Sequence, residues 1–119
     1  NNVWDKGHMA PAAHFSDSEE NLRTTFSYLN SALQHEKLNR GAWRFLEAAV
    51  REWSKTEDLH VINEIWFSPT SVKLPTGATI PDGFLKIIHG PKWCKSFFFT
   101  NEAPSDSWET YEIPCGLRE

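Results

Sequence analysis

Two periodicities divide the chain. Over residues 39–55 the large apolar side chains Trp43, Leu46, Val50 and Trp53 recur at spacings of three and four, which places them on one side of a helix. Asn39 precedes them as a candidate N-cap, and Gly41 falls in the first turn. Upstream the pattern is weaker. Residues 1–4 read as the tail of a strand, and residues 5–13, with Gly7 and Pro11, as an ordered loop. A short helix opens at Ser16 or Asp17, with Glu19 and Glu20 in its first turn and Leu22, Thr25 and Phe26 as its apolar stripe. Residues 27–38 show no clean period and read as a loop.

Downstream the apolar runs shorten to strand length, over residues 59–67, 84–89 and 95–100. The last contains Phe97-Phe98-Phe99, apolar on both faces, which predicts the central strand. Residues 68–77 read as a loop or hairpin arm, 80–83 as a turn and 101–107 as a polar turn, with little structure from Trp108 onward. The expected fold class is therefore α+β, an antiparallel sheet of these three strands with the helix packed on it.

Composition narrows the picture. A chain of 119 residues fits one domain. Twelve Lys and Arg against 16 Asp and Glu give a net charge of −4, which excludes nucleic-acid binding by bulk charge and leaves only a local patch. Hydrophobic residues at 39% and charged residues at 24% describe a globular chain, not a disordered one. Six Trp and eight Phe can bury much area in a small core. No apolar run approaches the roughly 18 residues of a membrane-crossing helix. Cys94 and Cys115 leave one disulfide and two free thiols equally open. The chain starts at Asn1, not Met, and leads directly into its densest motif, so it reads as a processed or partial piece.

The chemistry concentrates in two places. Asn39, Trp43, Glu47 and Arg51 are spaced by four and share one drifting stripe of the predicted helix. An amide, a carboxylate and a guanidinium together suit a metal and phosphate face; the plainer alternative is a cap followed by a surface Glu47–Arg51 pair. His8 follows Gly7, where an oriented imidazole that is neutral near pH 7 can act as a general base; the alternative is a loop histidine bonded to backbone. Elsewhere the plain readings hold. Trp43 and Trp53 belong to the core, and Phe97-Phe98-Phe99 to a buried strand. Lys92 and Lys95 beside Trp93 read as a solvated loop, the alternative being contact with a phosphate backbone. His35, His60 and His89 are scattered without ligand spacing.

Taken together, these segments resemble a known family. Asp5-Lys6-Gly7-His8-Met9-Ala10-Pro11-Ala12-Ala13 resembles the D-R-G-H-x-A-P-A signature of the DNA/RNA non-specific endonucleases, which are ββα-metal (His-Me finger) nucleases. Thr25 to Asn30 with Gln34 resembles the family's T-F-x-x-x-N-x-x-P-Q segment. Asn39-Arg40-Gly41-Ala42-Trp43-Arg44-Phe45-Leu46-Glu47 resembles its N-x-G-x-W-x-x-L-E helix, and Ile80-Pro81-Asp82-Gly83-Phe84-Leu85-Lys86-Ile87 its V-P-T-x-F-x-K-V strand. Order and spacing are kept from about Val3 to Thr100.

The resemblance implies roles. His8 would be the general base, Asn39 the direct ligand of a divalent cation (Mg2+ or Mn2+), and Glu47 the group that orients a water on the metal. Arg51 would stabilise charge on the transition state, and Asn30 would support the site. Lys6, Arg40 and Arg51 would contact substrate phosphate. The implied activity is cleavage of DNA and RNA to 5′-phosphate and 3′-hydroxyl ends. Sequence preference would be low, because every named group addresses phosphate, metal or water and none a base edge. The helix N-terminus beside Asn39 would suit the phosphate. Family members are mitochondrial or secreted, and nothing in this chain selects between those.

Departures from the pattern are Lys6 for Arg, Leu33 for Pro, His14 for Asp, and Asn63-Glu64 for Gly-Pro. The family also has a sizeable portion before the His motif. A sheet lacking those strands would expose an edge, so another chain or a second copy is expected to cover it. The same departures motivate an alternative, a nuclease-derived structural subunit of a larger assembly.

Overall fold

The computed structural model describes residues 2–8 and 31–115, with His8 and Ser31 by backbone alone. The helix expected from Ser16, together with Asn30 and His14, lies outside the described residues. Within them the fold is α+β with antiparallel sheets, as expected.

Strands β1 (Trp4–His8) and β2 (Ser31–His35) form a two-stranded antiparallel hairpin in which Asp5 opposes Gln34 and His8 opposes Ser31. This corrects two expectations. Residues 5–8 are strand and not loop, and residues 31–38 are a strand followed by a helical turn. Neither segment has a strong period of its own; each becomes a strand by pairing with the other.

Helix α1 (Glu36–Asn39) follows at once, and helix α2 (Ala42–Trp53) begins after two residues. The expected helix over 39–55 is thus broken near its start. Asn39 is the last residue of α1, and Gly41 is the N-cap of α2. The Arg40 and Gly41 amides turn back to the carbonyls of Glu36 and Leu38, and the Gly41 carbonyl accepts the first α2 bond, from Phe45. A Cβ at position 41 would lie 2.6 Å from the Lys37 carbonyl oxygen, so the close approach that makes the break needs glycine.

The main sheet runs β3 (His60–Trp66), β4 (Gly83–His89), β5 (Cys94–Thr100), β6 (Glu112–Ile113), all antiparallel. The most enclosed strand is β4, buried at every position except His89, and not β5, which has only two-residue β6 on its outer side. Both carry apolar residues on both faces, so composition does not rank them; neighbours do. One face of the sheet, with Val61, Phe84, Ile88, Phe97 and Phe99, packs against Leu38, Trp43, Leu46 and Val50 to make the core. Residues 68–79 form a hairpin arm closed by the Lys73–Thr79 bridge and turned at Gly77, whose φ of 95° suits glycine. Pro81 and Asp82 lead straight into β4, with no separate turn there.

The segment after Trp108 is ordered, contrary to expectation. A 3-10 turn (Trp108–Tyr111) puts Trp108 against Phe97 and Trp53 and Tyr111 against Phe99. A Cys94–Cys115 disulfide then ties it to the start of β5. These are long-range contacts that local pattern cannot show. The bridge closes a segment of 21 residues, so Cys94→Ser/Cys115→Ser is expected to lose about 3 kcal/mol of unfolding free energy. Urea unfolding checks this, and a loss below about 1 kcal/mol would mean the aromatic contacts alone hold the segment.

Asn101 joins the hairpin to the main sheet. Its Oδ1 accepts from the His35 amide at 2.7 Å, and its Nδ2 donates to the carbonyls of Leu33 and Pro81 at 3.1 and 2.9 Å. One side chain in a polar loop thereby sets where β1, β2 and α1 stand relative to the core.

Candidate active site

Hairpin, α1 and α2 together make a ββα unit, and the predicted site residues are distributed over it. Position 8 is the last residue of β1, with its backbone opposite Ser31; the imidazole lies outside the described atoms. Lys6 is exposed on the same strand, paired with Leu33. Asn39 and Arg40 meet β1 from the other side, because the Glu36 amide bonds the Val3 carbonyl at 2.7 Å and fixes α1 against the strand.

The contact between them is Asp5. Its Oδ2 accepts from Asn39 Nδ2 at 3.0 Å and from Arg40 Nε at 2.9 Å, while Oδ1 accepts from the Arg40 terminal nitrogen at 2.9 Å. The paired, fork-shaped contact with Arg40, and then the bond from Asn39, hold the Asp5 carboxyl below the usual carboxylate range. Reciprocally, Asp5 raises Arg40. Sequence reading quoted Asp5 in its motif but gave it no task. In the structure it is the hub of the cluster. Arg40 directs its charge at this carboxylate, although its side chain stays largely exposed.

This arrangement bears on Asn39. Its NH2 is committed to Asp5, so the planar amide is fixed with Oδ1 on the opposite side, the atom a hard cation needs. Among the described residues no three His, Cys, Asp or Glu side chains form a metal-holding group.

Glu47 and Arg51 lie one turn apart on α2, both half-buried, with Arg51 in the last turn. Because α2 begins at Ala42, Asn39 is not part of its stripe. Trp43, Glu47 and Arg51 remain on it, and the expected placement of Asn39 at the N-terminus of the long helix is corrected to the end of α1.

Beneath Trp43 sits a residue that sequence reading quoted but left without a role. Lys86, in β4, is fully buried. Its Nζ lies 4.5 Å from the centroid of the Trp43 ring and donates to Asn63 Oδ1 at 2.8 Å. Burial pushes its ammonium down to about 8 from 10.5, and the charge on Glu47 opposes the shift. The only advance signal was a lysine inside a strand that is otherwise apolar. Between those two values the unfolded chain binds more protons than the folded one, so this group's contribution to stability rises with pH across that window. Relative to Lys86→Met, the wild type is expected to gain up to about 3 kcal/mol from pH 8 to 10.5. Urea unfolding at each pH reads this, and a difference that stays flat would contradict a buried charge.

The remaining residues are structural. Trp53 stacks edge-on with Trp93, whose Nε1 donates to both oxygens of Glu57. Lys95 is not in a loop as expected but in β5, where pairing with Ile88 of β4 makes it strand, and it lies 3.8 Å from Glu112. A 420 Å3 pocket at the junction of hairpin and sheet, lined by Trp4, Ile80, Asp82 and Asn101 among others, holds none of the predicted site residues. No helix among the described residues is long and apolar enough to cross a membrane.

Comparison with known proteins points one way. The family model of the DNA/RNA non-specific endonucleases matches residues 1–117. The mitochondrial nuclease EXOG of Danio rerio is 38% identical over 61 residues, 50% of this chain and 18% of that protein. The mitochondrial nuclease EXOG of Xenopus laevis is 32% identical over 73 residues, 61% of this chain and 19% of that protein. The matched part of the chain thus spans less than a fifth of these curated relatives. Its fold is similar to a chain in the crystal structure of the EndoG/EndoGI complex, with a TM-score of 0.68 at 24% identity, over 96% of this chain and 55% of that one.

Proposed function

The chain belongs to the DNA/RNA non-specific endonuclease family, and we propose that it hydrolyses DNA and RNA phosphodiester bonds with little sequence preference, leaving 5′-phosphate and 3′-hydroxyl ends. The observation that carries this reading is the Asp5–Asn39–Arg40 cluster. It joins the first strand of the ββα unit to the turn before its helix and orients the Asn39 amide.

In this reading His8 takes a proton from the attacking water. Asn39, through Oδ1, is the direct protein ligand of Mg2+ or Mn2+, with Glu47 orienting water nearby. The cation, when bound, supplies Lewis-acid stabilisation of charge on the phosphate and the leaving oxygen. Arg51 offsets charge on the phosphate as it builds. Asp5 holds Asn39 and Arg40 in place. Lys6 and Arg40 meet the substrate backbone, with Lys6 a point charge where an arginine would make a two-pronged contact. Asn30 supports the site. None of these groups reads a base edge, so discrimination among sequences is weak.

The edge of β3 belongs to the same reading. Among the described residues β3 pairs with β4 alone, and another chain or a second copy pairs with its outer side.

The test is degradation of plasmid DNA and single-stranded RNA by the purified chain with Mg2+, and again with EDTA. Cleavage that requires the metal supports the proposal. A folded protein that cleaves neither substrate with Mg2+ or Mn2+ overturns it in favour of a structural subunit.

A further inference from the structure

We propose that Lys86 is a positioning residue for this reaction: its ammonium, held beneath α2 by the Trp43 ring and Asn63, fixes the carboxylate of Glu47 in its working orientation. The inference rests on the reading of Glu47 given above.

Three observations support it. First, the charge is costly where it stands. Lys86 is fully buried in the most enclosed strand, and its neighbours on the same face of β4 are Phe84 and Ile88, which face the same core. A methionine of similar length would fill the slot without desolvating an ion, and exchanges of buried charge for apolar volume are often neutral or stabilising. Packing alone therefore does not call for lysine.

Second, the ammonium is immobilised. One contact is a charge-assisted hydrogen bond, Nζ to Asn63 Oδ1 at 2.8 Å. Another is the face of Trp43 at 4.5 Å. Asn63 faces Lys86 directly across the β3–β4 ladder, so backbone register holds the donor and the acceptor together.

Third, Glu47 is the carboxylate that α2 carries next to the Trp43 ring over which Lys86 Nζ sits. It lies one turn beyond Trp43 on α2 and therefore on the same face. In a poorly solvated interior the pull between opposite charges stays strong over several ångströms. Lys86 is fully buried, so it meets no substrate itself and acts on the chemistry through its neighbours on α2.

The test compares the wild-type full chain with Lys86→Met and with Lys86→Met/Asn63→Val, the second removing the amide that the first leaves without its donor. Three quantities are read: thermal unfolding, direct binding of Mn2+ in the absence of nucleic acid, and kcat and KM for a DNA substrate. The expected result is a double variant at least as stable as wild type, with kcat lowered roughly 10-fold or more, weaker Mn2+ binding and unchanged KM. Wild-type kcat in either folded variant overturns the proposal and leaves the nuclease reading standing. Activity that merely follows stability, or failure of both variants to fold, assigns Lys86 a structural role and also overturns it. A wild type that cleaves nothing with Mg2+ or Mn2+ overturns the nuclease reading, and this one with it.

Discussion

Replacing His8 with alanine is expected to lower kcat for nucleic-acid cleavage by roughly 10²-fold or more, the usual loss when a general base is removed. β1 runs antiparallel to β2 and ends at His8, opposite Ser31. The strand is anchored at its other end, where Asp5 binds Asn39 and Arg40. Gly7 precedes the histidine on this strand. Only the neutral imidazole can accept a proton, and acid removes that form. The kcat/KM profile of the wild type is expected to fall on the acid side, and the residual activity of His8→Ala to lose that limb. Mn2+ binding should be unchanged in the variant, since Asn39 and not His8 is the proposed ligand. A His8→Ala protein as active as wild type would remove the histidine from the mechanism.

The second large effect is on stability. Trp43→Ala is expected to lose about 3–5 kcal/mol, toward the upper end. Trp43 has no exposed surface. Its ring centroid lies 5.8 Å from that of Phe84 and 5.7 Å from that of Phe99, so it joins α2 to both β4 and β5. Truncation opens a cavity among these strands and also strips the buried Lys86 ammonium of the π face beneath which it sits. Folded domains hold only about 5–15 kcal/mol, so the variant should be close to unfolding at 37 °C. Trp43→Phe keeps an aromatic face and much of the volume, and is expected to recover most of the loss. Urea unfolding of the three proteins decides. A Trp43→Ala loss under about 1 kcal/mol would mean that the helix is held to the sheet by other contacts.

How much of this was legible beforehand follows from the range of the forces. The apolar stripe of α2 and the runs that became β3, β4 and β5 were visible because burial of one face imposes a period on neighbouring residues. Each strand came within a residue of its expected bounds. The ββα motif was legible only by resemblance: β1 and β2 carry no period strong enough to declare themselves. The start of α2 was misplaced by three residues, since an asparagine before an apolar stripe is a good cap by type, and only the close approach of position 41 to the Lys37 carbonyl shows where the helix begins. The strand over residues 95–100 is interior, as expected, with β4 and β6 on either side, but β4 is the more deeply buried of the two, a difference set by neighbouring elements and not by composition.

Sequence alone determined the family pattern, the helix face with Trp43, Glu47 and Arg51, and the three long strands. These depend on residue type and on spacing within one element, which the chain carries locally. Tertiary structure decided the pairing of Cys94 with Cys115, the fastening of the hairpin by Asn101, the Asp5 hub that orients Asn39, and the burial of Lys86 between Trp43 and Asn63. Each of these joins residues 20 or more positions apart. The energy that selects such partners comes from desolvating polar groups against one another, and it exists only once the apolar layers have brought them together.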